Sequence, residues 1–359
     1  MRRKLGICCN FGPPHIGGSE LVIENIGKRL VDQYDYDVTI YGYNYDRNST
    51  YKGMKIEKCA QGDGFISQIA QNDHIFVYSD SFWGFDTLMG GMDRIDCTAS
   101  VALVGAYHMQ SNPPVWDLFK KHEDRFTMIT HGRGPDHTWA SRKGILTTII
   151  PNGYDRSEFE NNTINFREKY NIKEKYILLN VSNYFFGKGQ EVLVEIGKKM
   201  RDDCIIIQLS NSVKYPYDKR FLERCQRSGR NVNIRFLRDL PREDVISAFL
   251  KSHMFVFTSK KEVSPLVILE SRAAKLPWVS MEVGDINYQS GGVVVHHKEK
   301  NLKDYIVVDE TIVDQYVNII NRSIDSTVLG KNLVSYSERT IDNFNWDNIV
   351  PLYHEVFSG

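Results

Sequence analysis

The chain has 359 residues, of which 42% are apolar and 25% are charged, a composition typical of soluble globular proteins and unlike that of disordered or fibrous ones. Lys plus Arg and Asp plus Glu both number 45, so no overall field draws the protein toward nucleic acid or anionic lipid. The length predicts two domains, because one core rarely grows beyond about 250–300 residues.

The cysteines and apolar runs decide which compartment we predict. The six cysteines lack the spacing of zinc ligands, and we interpret them as reduced core residues. The apolar stretch at residues 5–9 is much shorter than a signal-peptide core, and no run approaches the ~18 apolar residues of a membrane helix. We therefore predict a cytoplasmic protein.

The first half of the chain alternates short apolar runs with segments of helical periodicity, which is typical of βαβ units and a parallel sheet. The clearest helix is 20–34. The predicted strands are 5–9, 37–41, 74–78, 100–104, 127–130 and 148–150. These elements predict a doubly wound, Rossmann-like α/β domain over residues 1–152.

A polar stretch at 153–175 has little periodicity and predicts the interdomain connection. The alternation then restarts and predicts a second Rossmann-like domain over 176–340, followed by a helix at 341–359 that crosses back to the first domain. Because ligands bind at the carboxyl ends of parallel strands, two such domains predict a shared ligand cleft. The predicted elements are strands 176–181, 204–209, 232–237 and 254–258 and helices 190–200, 242–251 and 266–274.

The first strand leads through NFGPPHIGGSE directly into a helix for which Ser19 is the expected N-cap. Gly17 and Gly18 let a ligand approach the backbone closely, and the positive end of the helix suits a phosphate. An ordinary strand-to-helix turn explains the same residues equally well.

Two histidines follow later strands of the first domain. His108 and His131 both lie just beyond a predicted strand, where an imidazole can hydrogen-bond a ligand. Either one could instead be structural, and the sequence does not choose between them.

The loop SNYFFGKGQ follows the first strand of the second domain. Its lysine, Lys188, lies between two glycines where a helix begins. An ammonium there suits a diphosphate whose negative charge grows as it leaves. A merely solvated lysine fits less well, because the helix dipole disfavours cations at that end.

The most informative segment is TSKKEVSPLVILE, residues 258–270, which runs from a buried strand through a turn into a helix. The proline marks the helix start. The backbone amides of Leu266 and Val267 are then unpaired and can bind an anion without a metal. Glu270 lies on a largely apolar helix, where an unpaired carboxylate is costly. We expect it to meet a hydroxyl-rich ligand or a basic partner.

Glu262 and Glu270, separated by seven residues and followed by SRAAKLPWVSMEVGDI, resemble the donor-site motif of family 4 glycosyltransferases. GGSELVIENIGKRL, IPNGYD, GKGQEVLVEI and FNWDNIV are similar, in order, to the family's first glycine loop, boundary turn, lysine loop and closing helix. The resemblance spans nearly the whole chain. It implies a GT-B fold, with two Rossmann-like domains facing a central cleft, and a retaining, metal-independent transfer of sugar from a nucleoside-diphosphate donor such as a UDP- or GDP-sugar.

The resemblance also implies residue roles. Glu270 would hold the donor ribose, Lys188 and the amides after Glu262 the diphosphate, and His108 the sugar. The departing diphosphate would help to take the acceptor proton, and no metal or cofactor is implied. The predicted site residues are His108 and Glu262 as catalytic residues, and Gly17, Gly18, Asn183, Lys188, Arg238, Ser264, Leu266, Val267 and Glu270 as donor-binding residues.

The chain departs from the family pattern at two loops. Asn183 stands where the family usually has an arginine, five residues before Lys188, and Arg238 is the expected compensation. Residues 210–212, Ser-Asn-Ser, replace a glycine-containing loop. A nucleotide-sugar-binding protein with impaired catalysis is therefore an alternative.

The acceptor stays open. The first domain would select it, and a saccharide or lipid-linked glycan is the expected partner. A nucleic-acid base is an alternative acceptor, although the neutral charge disfavours it. Residues 115–121, VWDLFKK, mix aromatics with lysines as helices at a membrane surface do. Weak peripheral membrane association is thus possible, but a helix packed on the first sheet would show the same pattern.

Overall fold

The computed structural model describes residues 2–15, 17–105, 107–211, 216–300 and 305–359. The chain forms two compact units: the first unit comprises Met1–Gly153 and Trp346–Gly359, and the second unit comprises Tyr154–Asn345. Each unit is an α/β structure built on one sheet. Two parallel-sheet α/β domains were predicted, and the prediction is confirmed.

The elements are numbered in chain order. The strands are β1 (Arg3–Cys9), β2 (Tyr36–Gly42), β3 (Ser49–Tyr51), β4 (Met54–Lys58), β5 (His74–Tyr78), β6 (Thr98–Leu103), β7 (Phe126–Thr130), β8 (Thr147–Ile149), β9 (Tyr176–Val181), β10 (Cys204–Ser210), β11 (Ile234–Arg238), β12 (Met254–Phe257), β13 (Trp278–Met281) and β14 (Gly292–Val295). The helices are α1 (Gly18–Tyr34), α2 (Asp63–Ile69), α3 (Phe85–Gly91), α4 (Tyr107–Ser111), α5 (Pro113–Lys121), α6 (Pro135–Arg142), α7 (Arg156–Glu160), α8 (Phe166–Lys169), α9 (Gln190–Lys199), α10 (Pro216–Ser228), α11 (Arg242–Lys251), α12 (Leu266–Ala273), α13 (Glu310–Asp325), α14 (Thr327–Ile341) and α15 (Trp346–Ser358).

The sheet of the first unit has the strand order β3-β4-β2-β1-β5-β6-β7-β8 and is parallel except for the β3–β4 pair. Its central strands are largely buried, as is typical of a parallel sheet that is covered on both faces. Leu5 of β1, for example, is fully buried and is paired with Val38 on one side and His74 on the other. Since β1 has β2 on one side and β5 on the other, the winding reverses there, and the loops after β1 and β5 lie at a topological switch point.

The sheet of the second unit is fully parallel, with the order β11-β10-β9-β12-β13-β14. Leu178, Ile206 and Phe255, from its three central strands, are at most 1% exposed. The winding reverses at β9, which is flanked by β10 and β12. The switch point of this unit therefore lies at the loops that follow β9 and β12.

The structure contains strands that the sequence analysis did not predict. In the first unit, β3 and β4 form the edge of the sheet, and β3 is largely exposed. In the second unit, β13 and β14 extend the sheet beyond β12. Each of these strands has only three to five residues, although β14 does contain three consecutive valines.

The prediction of a connecting segment at 153–175 differs from the structure. Residues 154–175 belong to the second unit, where Phe159 and Phe166 are buried in the core. The hydroxyl of Ser247 accepts a hydrogen bond from the backbone amide of Phe166 at 3.1 Å. The buried residues are widely spaced between polar ones, so they produce no periodicity.

Helix α15 belongs to the first unit although it follows the whole of the second unit in the chain. Tyr353 and Phe357 are fully buried, and their ring centroids lie 5.7 and 5.2 Å from that of Phe76 in β5. Arg29 of α1 donates to Asp347 at 2.8 Å. The last helix is thus part of the core of the first unit.

Helix α5 contains the aromatic and lysine residues considered for a membrane surface. Its Val115 and Phe119 are buried in the first unit, and Trp116 packs edge-on against Trp139. This packing accounts for the apolar stripe without a membrane. Among the helices described here, none combines the length and the hydropathy of a membrane span.

Candidate functional site

Lys188 and Glu262 meet at the switch point of the second unit. Lys188 lies in the loop after β9 and Glu262 in the loop after β12. The Lys188 ammonium donates to Oε1 of Glu262 at 2.6 Å, and the Ser259 hydroxyl donates to the same oxygen at 2.6 Å. The Lys188 side chain remains about one-third exposed, at 32%. The structure therefore brings together two residues that were predicted to serve the donor phosphate and sugar.

Backbone contacts hold the lysine loop against the loop after β12. The amide of Lys260 donates to the carbonyl of Gly187 at 2.7 Å, and the Thr258 hydroxyl donates to the carbonyl of Lys188 at 3.2 Å. Gly189 has φ of +68°, and a Cβ there would lie 2.1 Å from the Thr258 carbonyl oxygen. Only glycine fits where the lysine loop crosses the Thr258 carbonyl, so the position of Lys188 depends on Gly189.

The amino terminus of α12 follows Glu262 closely. Helix α12 begins at Leu266, and Pro265 is its N-cap rather than its first helical residue. The amides of Leu266 and Val267 occupy the first two helical positions, which have no carbonyl partner within the helix. They are thus available for an anion.

Glu270 has a basic partner. Its buried carboxylate, 8% exposed, lies 2.6 Å from the Arg242 guanidinium of α11. The same guanidinium donates to both carboxylate oxygens of Glu158 in α7. One cation is shared between two carboxylates, which leaves this cluster one negative charge in excess.

The Ser264 side chain hydrogen-bonds a buried aspartate, Asp285. Its hydroxyl donates to Oδ2 of Asp285 at 3.0 Å, and Gln289 donates to the same oxygen at 3.1 Å. Burial raises the pKa of Asp285 to about 6 in spite of these two donors. Ser264 therefore anchors the turn before α12 to the loop after β13.

Asn183 and Arg238 lie at different strand ends. Asn183 follows β9, and its exposed side-chain oxygen accepts from the Asn211 amide at 3.3 Å. Arg238 ends β11, the second strand from β9, and is paired in register with Ser210 of β10. The third residue of the altered loop, Ser212, lies outside the described residues.

His108 in the first unit is held by two aspartates. Its Nε2 is 2.5 Å from Oδ1 of Asp86, and its backbone amide donates to Oδ2 of Asp80 at 3.0 Å. The amide of Met109 donates to the same Asp80 oxygen. Asp80 is fully buried, and burial raises its pKa. The imidazole of His108 is partly exposed, at 33%.

His131, the alternative to His108, is buried. Its Nδ1 is 3.2 Å from the carbonyl of Ile150 and its ring packs near that of Tyr78. Burial lowers the pKa of His131 to about 4. The two histidines thus differ in burial, because the imidazole of His108 is partly exposed.

The glycine loop differs from its prediction in one detail. Helix α1 begins at Gly18 with Gly17 as N-cap, so Ser19 lies within the first turn and is not the cap. Gly17 has φ of −175°, an extended conformation open to any residue.

Sequence reasoning missed three partners of the predicted residues: Arg242, Asp86 and Ser259. Arg242 and Asp86 are distant in sequence from Glu270 and His108, so only the tertiary structure reveals those pairings, whereas Ser259 lies three residues before Glu262 in the same loop. One sequence feature draws attention to Arg242: it directly follows Pro241 and is the first residue of a predicted helix.

A cavity of about 490 Å³ lies beside the lysine loop within the second unit. Its lining includes Phe186, Val192, Val308 and Lys260. The Lys260 ammonium lies 3.9 Å from the centroid of the Phe186 ring and pairs with Glu191. None of the predicted site residues lines this cavity.

Residues 162–339 match the model of a protein family described as glycosyl transferases group 1. A curated relative, the Escherichia coli UDP-Gal:alpha-D-GlcNAc-diphosphoundecaprenol alpha-1,3-galactosyltransferase, is 25% identical over 232 residues. That match covers 58% of this chain and 54% of the relative, so it spans about half the length of the relative.

Solved structures share the fold over nearly the full chain. Sucrose-phosphate synthase from Thermosynechococcus elongatus has a TM-score of 0.80 at 14% identity, covering 99% of this chain and 100% of the other. Anabaena HepE, solved with UDP and glucose, has a TM-score of 0.76 at 16% identity, with the same coverage. These are GT-B glycosyltransferases, and the likeness establishes the GT-B fold.

Proposed function

Residues 162–339 of the chain belong to the glycosyl transferases group 1, and from this premise we propose that the protein transfers a sugar from a nucleoside-diphosphate donor to a hydroxyl acceptor. The observation that carries the proposal is the placement of Lys188 and Glu262 beside the amino terminus of α12, at the switch point where a parallel sheet binds its ligands.

The diphosphate of the donor takes the place of Glu262 as the partner of Lys188. The carboxylate of Glu262 forms an ion pair with the Lys188 ammonium. A diphosphate brings a larger charge, and it also gains the amides of Leu266 and Val267. Both interactions strengthen as charge develops on the leaving group, which is the condition for lowering the barrier to transfer.

Glu270 binds the ribose of the donor through its hydroxyls. Arg242 contacts Oε1 of Glu270, which provides this buried carboxylate with a cationic partner and fixes its direction. A charged carboxylate accepts hydrogen bonds more strongly than a neutral one. The donor is a UDP-sugar, in line with the UDP-Gal of the galactosyltransferase and the UDP bound by HepE.

Transfer retains the anomeric configuration and requires no metal. The protein supplies the positive charge that faces the diphosphate, through the ammonium of Lys188 and the positive end of the α12 dipole. We assign two side chains to the donor sugar. One is His108, which Asp86 aligns, and the other is Glu262 after it is released from Lys188. The acceptor is a saccharide or a lipid-linked glycan, as for the relative whose acceptor is a diphosphoundecaprenol-linked sugar.

Calorimetry of the purified protein against UDP, GDP, ADP and CMP, with EDTA present, tests the donor site. UDP should bind, and UDP-galactose and UDP-glucose should then be turned over to UDP with an acceptor present. The anomeric coupling of the product sugar, measured by NMR, reports retention. Failure of all four nucleotides to bind would refute the donor site.

A second candidate is a protein that binds the nucleotide sugar without transferring it. The exposed Asn183 favours it, because a phosphate-binding arginine is expected at this place in the loop and an amide carries no charge. Tight UDP binding together with no release of UDP from UDP-sugars over a broad set of acceptors would establish this function instead.

A further inference from the structure

Three aromatic rings lie together at the switch point of the first unit. Phe11 follows β1, Tyr43 follows β2 and Trp83 follows β5. The Trp83 ring centroid is 6.0 Å from that of Phe11 and 5.7 Å from that of Tyr43. Phe11 is 40% exposed and Trp83 is 64% exposed. Large exposed rings in a cluster mark an interaction site more often than single exposed apolar residues do.

The cluster is held in place although its rings are exposed. The side chain of Asn10 donates to the carbonyl of Ser81 at 2.9 Å and accepts from the amide of Trp83 at 2.8 Å, so it joins the loop after β1 to the loop after β5. Gly84 leaves room for Tyr43, because a Cβ at Gly84 would lie 2.9 Å from the Tyr43 hydroxyl. The rings are therefore preorganised for a partner.

One carboxylate close to the cluster in sequence bears on the kind of partner. Trp83 is three residues before Asp86, which contacts His108 and whose side chain is 55% exposed. A negative carboxylate disfavours an anionic lipid headgroup and accepts hydrogen bonds from hydroxyls. A sugar ring offers both an apolar C–H face for the indole and hydroxyls for the carboxylate.

We propose that Phe11, Tyr43 and Trp83, with Asp86 at their edge, form the acceptor subsite and bind a neutral saccharide ring on the indole face of Trp83. This inference rests on the proposed transfer of a sugar to a hydroxyl acceptor. It adds the class of acceptor, a sugar recognised directly by the protein rather than through an attached lipid.

Saturation-transfer NMR with the methyl α-glycosides of glucose, galactose, mannose and N-acetylglucosamine tests the subsite. At least one glycoside should bind the wild type. Trp83→Ala should weaken that binding by roughly tenfold, since loss of a large stacked ring costs on the order of 1 kcal/mol or more. Trp83→Phe should keep most of it. Leu146→Ala, which removes another exposed apolar side chain of the first unit, should leave it unchanged.

Two further measurements separate the possible failures. The subsite is overturned if none of the four glycosides binds, or if wild type and Trp83→Ala bind them equally. It is also overturned if the wild type sediments with phosphatidylglycerol vesicles and Trp83→Ala does not. Calorimetry with UDP on the same samples reports the donor site separately. Sugar binding that depends on Trp83 in a protein that binds no nucleotide would leave the subsite standing and refute the proposed transfer.

Discussion

The Lys188 ammonium lies 2.6 Å from Oε1 of Glu262, so the cation that we propose for the donor diphosphate is paired with a carboxylate of the protein. In the proposed donor complex, the diphosphate displaces this carboxylate. The free energy of diphosphate binding is then reduced by the cost of separating the pair.

Lys188→Ala should weaken UDP binding by about tenfold to a hundredfold, because a hydrogen bond to a charged group contributes about 1.5–3 kcal/mol. Calorimetry with UDP measures the change. Lys198→Ala removes another lysine of the same unit, on α9, and should leave the affinity unaltered. Equal UDP affinities for Lys188→Ala and wild type would show that the diphosphate binds elsewhere.

Glu270→Gln should weaken the binding of UDP but have little effect on 2′,3′-dideoxy-UDP, because the lost interaction is the one with the ribose hydroxyls. The glutamine keeps the shape of the side chain and an oxygen for Arg242. Comparing the two nucleotides by calorimetry isolates the ribose contribution. If both nucleotides lose affinity equally, Glu270 supports the site without contacting the ribose.

Arg242→Met should lower the free energy of unfolding by about 2–3 kcal/mol, since it leaves the buried Glu270 without its cation. Glu158 loses the same partner, but it is more exposed than Glu270, so its loss lowers the free energy of unfolding less. Chemical denaturation measures the change. The matched control is Arg156→Met, which breaks an exposed pair with Glu160 and should cost under about 1 kcal/mol.

Asp285→Asn should change how stability depends on pH. The pKa of Asp285 is raised to about 6, above the ~4 of an unfolded aspartate, so the folded state holds the proton more tightly. Stability from this group is present below about pH 4 and is lost as the pH rises toward 6. The variant should therefore gain up to about 3 kcal/mol over wild type at pH 7 and little at pH 4.

Denaturation curves of wild type and Asp285→Asn at several pH values measure that difference. The buried His131, with a pKa lowered to about 4, acts in the opposite direction but is common to both proteins and cancels. A stability difference that stays constant from pH 4 to pH 7 would contradict the raised pKa.

Gly189→Ala should destabilise the second unit by more than about 2 kcal/mol, because it combines positive φ with a clash against the Thr258 carbonyl. Gly144 has φ of +71° but open space around its Cβ position. Gly144→Ala should cost only about 1 kcal/mol, so the two variants separate the clash from the backbone strain. Similar losses in the two proteins would argue against a tight crossing at Gly189.

The central strands could be predicted because parallel strands covered on both faces are almost continuously apolar. Strand β5 at His74–Tyr78 and strand β9 at Tyr176–Val181 have the predicted bounds. Edge strands such as β3 are short and exposed, so their sequences do not differ from those of loops. The segment that contains Phe159 was read as a connection for the same reason, since its core contacts are isolated along the chain.

The positions of the site residues along the chain predict only that each one follows a strand, whereas the resemblance to family 4 glycosyltransferases implied that Lys188 and Glu262 serve one donor. Lys188 and Glu262 follow β9 and β12, but the sequence does not reveal that these strands are neighbours. Likewise, His108 and His131 both follow strands of one sheet, and only the packing around Ile150 shows which imidazole is buried. Partners such as Arg242 come from elements distant in sequence and require the tertiary structure.

The return of the chain to the first unit through α15 fixes an order of events on the ribosome. Residues 3–149 supply every strand of the first sheet, yet the buried rings of Tyr353 and Phe357 that cover β5 are translated only after the entire second unit. The second unit, though it begins later, has its complete core earlier. Until residues 346–359 are synthesised, the nascent first unit therefore lacks the rings that cover this face of β5.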